Sequence, residues 1–170
     1  VSDGQTFSLK PIAPEAIARA LEKAERYRLL NEPAFAESIC LDVLAIEPEN
    51  QQAIVSYLLS LTDQFHQGLE GAVASARAVL PRLHGEYERQ YYAGIICERR
   101  ANALIAQGGY DSGPAAYEYL SDAIVCYDKA QALQPPGNDD AILRYNTCVR
   151  MMEWHHLEPG VDERQDYPLE

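Results

Sequence analysis

The chain has 170 residues, with 14 Lys and Arg against 26 Asp and Glu, a formal charge of -12. That balance argues against a nucleic-acid binder, which needs clustered cations to neutralise phosphate, and against docking on anionic lipid. Hydrophobic residues make up 47% of the chain, enough for a folded core, and no apolar run reaches the length needed to span a membrane.

The elements follow in chain order from periodicity and punctuation. Residues 1–13 read as a polar lead, and residues 14–154 as one helical domain. Pro14 opens a first helix in which Ile17, Ala20, Leu21, Ala24, Tyr27 and Leu30 recur at three- and four-residue steps. Asn31-Glu32-Pro33 breaks it, and Pro33 opens a second helix that runs to about Ile46. Asn50 caps a third, with Ala53, Ile54, Tyr57, Leu58 and Leu61 as its buried stripe. Gln67-Gly68 is a turn, and a short fourth helix ends at Leu80 before Pro81. The fifth spans about Glu86 to Gln107 and stops at Gly108-Gly109. Asp111-Ser112-Gly113-Pro114 reads as a loop, and the sixth helix runs from Pro114 to about Leu133. Pro135-Pro136-Gly137 interrupts, and Asn138 caps a seventh helix through about Trp154. No alternating β-branched stretch competes, so the expected class is all-α with about seven helices. Residues 155–170 are acidic and polar and read as a flexible tail.

Four widely spaced cysteines, Cys40, Cys97, Cys126 and Cys148, form no CxxC pair. They read as small buried hydrophobes in a reducing, cytoplasmic setting. His155-His156 point in different directions on a helix and lack a supporting metal motif, so no metal is expected there. No nucleophile elbow, phosphate-cradling glycine loop or dinucleotide fingerprint is present, which leaves no catalytic residue or cofactor to name. Seven of the 11 tyrosines lie between Tyr87 and Tyr127; they suit core packing, an aromatic ligand surface, or both.

Two segments match each other. Pro48 to Tyr57 and Pro136 to Tyr145 both read P-x-N-x-x-A-I-aliphatic-x-Y, and Cys-x-Asp precedes each, at Cys40-Asp42 and Cys126-Asp128. Each is a junction where proline stops one helix and asparagine caps the next.

With this repeat the chain resembles the tetratricopeptide repeat family, whose helix–turn–helix units are 34 residues long. Ile17 to Asn50 has that length without a gap, and carries Ala24, Tyr27, Ala36 and the closing Pro48. Gly94, the Gly108-Gly109-Tyr110-Asp111 turn, and Ala123, Tyr127 and Ala130 match a later unit. The large aromatic residue usual in the first helix is replaced by Ala20 and Ile54, and the third unit carries an insertion between Asp111 and Ala123.

The resemblance implies stacked antiparallel helical hairpins in a right-handed superhelix, and a non-enzymatic adaptor or scaffold that binds a protein or peptide on its concave face. By register that groove would take Leu21, Glu25 and Arg28, then Val55, Leu59 and Asp63, then Tyr91, Ile95, Glu98 and Arg99, then Leu143, Thr147 and Arg150. Glu22 and Ser56 stand where some members carry the asparagines that grip a peptide carboxylate, so no acidic C-terminal peptide is expected in the groove. The net charge favours a neutral or basic segment. The alternative is a self-associating chain, such as a homodimer, or a structural subunit of a larger complex, joined through the last helix at Leu143, Met151 and Trp154 and through the tail, unless the tail residues Leu157, Val161, Tyr167 and Leu169 cover that helix.

Overall fold

The computed structural model describes residues 7–68 and 70–160. Among them every regular element is a helix and no strand occurs, so the fold is all-α. The helices are α1 (Ile17–Leu29), α2 (Pro33–Ile46), α3 (Gln51–Thr62), α4 (Ala72–Arg77), α5 (Glu86–Gln107), α6 (Ser112–Gln131) and α7 (Asp140–Trp154). The chain forms two compact units, one ending at Asp63 and the other beginning at Gln64.

In the first unit α1 packs on α2 and α3, and α2 packs on α3. α1 buries Ile17, Leu21 and Ala24, which fall on one arc at the helical period. Ala24, Ala36 and Cys40 are fully enclosed, with Tyr27, Ile39 and Tyr57 around them. Small residues let α1 and α2 approach closely, and Tyr27 stacks on Phe35 with ring centroids 5.3 Å apart. α1 ends with Asn31 in the left-handed region at φ 58°, while the Glu32 amide donates to the Tyr27 carbonyl at 2.9 Å. This is a Schellman cap that satisfies the last carbonyls. α3 buries Ser60 and Thr62, whose hydroxyls donate to the Tyr57 and Leu59 carbonyls of their own helix.

In the second unit α5 packs on α6, α6 on α7, and α4 on α5. The core gathers Cys97, Ala101, Ala116, Leu120, Ala123, Tyr127, Cys148 and Met151. Arg89 folds back on the start of α5 and donates to the Leu83 carbonyl at 2.6 Å, which fixes the loop entering that helix.

The two matching junctions share a turn. The Asn50 amide donates to the Glu47 carbonyl and the Asn138 amide to the Pro135 carbonyl, both at 3.1 Å. The Asn50 side chain then caps α3 by accepting from the Ala53 amide, whereas Asn138 accepts from the Asp140 amide two residues on, each at 2.9 Å; the cap position of α7 is Asp139, which corrects the assignment of that cap to Asn138. α6 begins at Ser112, inside the segment expected as a loop, with Pro114 in its first turn. Proline costs nothing there because a first-turn amide has no helical partner. α4 is six residues long, and Pro81 falls in a separate turn of 3-10 helix, Leu80–Arg82.

Candidate functional site

α5, α6 and α7 meet at Glu98, a carboxylate only 3% exposed. Its Oε2 accepts from the Tyr127 hydroxyl at 2.7 Å and its Oε1 from Arg144 Nη1 at 2.8 Å. Tyr127 is fully buried and its ring lies against Gly94, where a β-carbon would come within 2.5 Å of Cε1. Tyr91 packs on the same ring, and on Tyr87 and Tyr92, with centroids 5.2–5.9 Å apart. Burial, and then the Glu98 carboxylate, push the Tyr127 hydroxyl far above its ordinary pKa, so it stays a donor. Burial alone would lower the Arg144 pKa, but the Glu98 carboxylate and the adjacent Tyr91 hold it above its usual value. The cluster therefore fixes a charged, hydrogen-bonded contact between α5 and α7, buried at Glu98 and reaching the surface at Arg144.

That contact sets the rotation of α7. Arg144, Cys148 and Met151 face inward, and an adjacent side of the helix, about 100° round, presents Leu143, Thr147, Arg150 and Trp154. These four follow an i, i+4, i+7, i+11 pattern, so at about 100° per residue they share a narrow arc. Leu143 is 62% exposed and Trp154 65%. Arg150 is exposed as well, and Thr147, half-buried, donates its hydroxyl to the Leu143 carbonyl. The arrangement is an apolar residue at each end of a polar centre, on a helix locked from beneath.

The remaining expected site residues divide. Glu25, Arg28 and Asp63 come together: Arg28 Nε donates to Asp63 Oδ2 at 2.8 Å and its Nη1 to Glu25 Oε2 at 3.0 Å. These charges satisfy one another. Val55, Leu59, Tyr91 and Arg99 are half-buried. Leu21, Ile95 and Glu98 are buried and expose no contact surface, which corrects their placement on an open groove. Leu21 lies on the arc of α1 that faces α2 and α3, and Ile95 and Glu98 on the arc of α5 enclosed by its neighbours. Met151 is likewise a core residue, 6% exposed, and is corrected as a self-association contact.

Tyr127, Arg144 and Gly94 were not marked as one site by sequence. The available signal was Glu98 itself, a carboxylate within the apolar run of Ile95, Ile96, Cys97 and Ala101. Leu157 packs on the core, so the chain just past α7 is docked, whereas Val161, Tyr167 and Leu169 lie outside the described residues. His155 and His156 border an exposed recess of about 730 Å³ beside Tyr110 and Asp111. Among the described residues no three His, Cys, Asp or Glu side chains gather as metal ligands. None of their helices is long and apolar enough to cross a membrane.

No family model, curated protein or solved structure matches the chain.

Proposed function

We propose that the chain is a non-enzymatic protein-binding adaptor, a tetratricopeptide-like helical array whose contact surface is the open face of α7. The observation that carries this reading is the exposed stripe Leu143, Thr147, Arg150 and Trp154, held outward by the Arg144–Glu98 contact. An apolar anchor at each end of a rigid helix suits a short protein segment with two hydrophobic side chains. The surrounding charge of -12 favours a neutral or basic segment. The shared turn at Asn50 and Asn138 supports a repeated architecture. Four free thiols suit a reducing, cytoplasmic compartment.

Trp154 is the only tryptophan, so its emission reports directly on this face. A partner segment that covers it shifts the emission to the blue, and Leu143→Glu abolishes the shift while circular dichroism stays unchanged. Binding that persists in Leu143→Glu and Trp154→Glu, read by titration calorimetry because the second variant has no tryptophan, places the contact elsewhere and overturns the assignment. The same stripe supports a second reading, self-association. There the blue shift appears with rising concentration of the chain alone, and light scattering reports a dimer.

A further inference from the structure

The outer face of α1 carries the opposite charge from the rest of the first unit. Arg19, Lys23 and Arg26 lie on one stripe with Leu30, diametrically opposite the buried arc of Ile17, Leu21 and Ala24. Together with Glu22 and Tyr27 they line a concavity of about 510 Å³. Arg28 is the last cation before Arg77, so α2 and α3 hold none. Arg19 and Arg26 form no ion pair among the described residues, although Glu22 is one turn from each. Lys23 lies over the Tyr27 ring at 5.8 Å, and Tyr27 in turn stacks on Phe35, itself 60% exposed.

A solvated charged face would be expected to mix signs and avoid large apolar side chains. This one aligns three cations, with Glu22 alone as acidic lining, and ends in the exposed apolar side chains of Leu30 and Phe35. We infer that the Arg19–Lys23–Arg26 face is a second interaction surface, which takes an acidic, extended peptide segment bearing an apolar anchor. The spacing fits: Arg19 and Lys23 are separated by a rise of about 6 Å, close to the repeat of alternate side chains on an extended chain. Carboxylates at alternate positions would meet successive cations, and the anchor would reach Tyr27 and Leu30. A polyanion such as nucleic acid, or an anionic bilayer, would also meet the surrounding negative charge, which a short segment avoids. The face is on the far side of α1 from the groove register that includes Leu21 and Arg28, and it shares no residue with the α7 stripe. A chain with both would bridge two partners of opposite charge.

The test is fluorescence anisotropy of the full chain with a labelled peptide of alternating Glu and Ser that ends in Leu-Phe. A Lys-for-Glu peptide and vesicles of mixed phosphatidylserine and phosphatidylcholine serve as comparison probes. Saturable binding of the acidic peptide, weakened by salt and reduced about tenfold or more in Arg19→Glu/Lys23→Glu/Arg26→Glu, is the expected result. All three positions point away from the core, and circular dichroism verifies the fold of the variant. Lys129→Glu, an exposed position on α6, leaves the affinity unchanged. Absence of saturable binding, equal binding by the triple variant, equal binding of the Lys peptide, or preference for the vesicles each overturns the inference.

Discussion

Arg144 on α7 donates to Glu98 on α5 at 2.8 Å, and its neighbour Leu143 faces out of the protein. The two residues are about 100° apart around the helix, so the buried contact dictates which side of α7 meets solvent. Removing one partner leaves the other charge poorly paired in the core, which costs more than the pair contributes. Arg144→Leu should therefore destabilise the protein by about 2 kcal/mol, since Arg144 is itself about a third exposed. The double variant Glu98→Leu/Arg144→Leu should recover part of that loss. Urea denaturation measures both, and a single variant as stable as the parent would refute the role given to this contact.

Gly94 is required by the ring beside it. A β-carbon there would meet Tyr127 Cε1 at 2.5 Å, and Tyr127 has no free volume in which to move, being fully buried. Gly94→Ala should cost about 1–3 kcal/mol from overpacking, even though alanine is the better helix former. Tyr127→Phe keeps the ring and should give no relief, whereas Tyr127→Leu in the Gly94→Ala background should recover stability relative to the sum of the single changes. Additive losses in that thermal-denaturation cycle would show that the two residues do not compete for space.

Burial governs the thiols. It pushes the Cys40 thiol up to about 11 and, with the Glu98 carboxylate adding to it, the Cys148 thiol up to about 12, from 9.0 for an exposed cysteine. A raised folded-state value means that the folded chain holds the proton more tightly than the unfolded chain. The associated stability is intact below about pH 9 and is lost as pH rises towards 12. Cys148→Ala should flatten the decline of stability between pH 9 and 11 relative to the parent. In native protein at neutral pH an alkylating reagent should reach half-buried Cys126 before Cys40 or Cys148, with the buried thiols released only on denaturation. Mass spectrometry of the time course checks the order.

The fold was legible wherever proline, glycine or asparagine punctuates the chain. α2 and α5 begin and end where Pro33, Ile46, Glu86 and Gln107 suggest. The start of α6 is hidden because Ser112-Gly113-Pro114 has loop composition, yet each of these residues is tolerated in a first turn. The site was less legible. A register extended along α5 from Tyr91 assigns Ile95 and Glu98 to an open face, but α5 is enclosed on more than one side, and sequence does not announce which arc a long helix leaves bare. On α7 the register that the family resemblance implies puts Leu143, Thr147 and Arg150 on one face, and there Leu143 and Arg150 are exposed and Thr147 half-buried. The pairing of Arg28 with Asp63, and of Arg144 with Glu98, joins residues 35 and 46 positions apart, a separation that no local pattern reports.

The end of α7 offers a direct measure of local strain. His156 has φ 50°, in the left-handed region, while its amide donates to the Glu153 carbonyl at 3.2 Å and the Leu157 amide to the Met152 carbonyl at 2.9 Å. This is the same Schellman cap that Asn31 closes after α1, with Leu157 packed on the core as its hydrophobic contact. Asparagine tolerates that backbone well, and glycine better still, because it has no β-carbon to clash with the neighbouring carbonyl. His156→Gly should raise stability by about 0.5–1 kcal/mol, whereas Asn31→Gly should change it less. His156→Val, β-branched, should lower it by more than His156→Gly raises it. Thermal denaturation of the three variants tests this ordering. If His156→Gly proved destabilising, the histidine side chain would have to be making a favourable contact that outweighs its backbone strain.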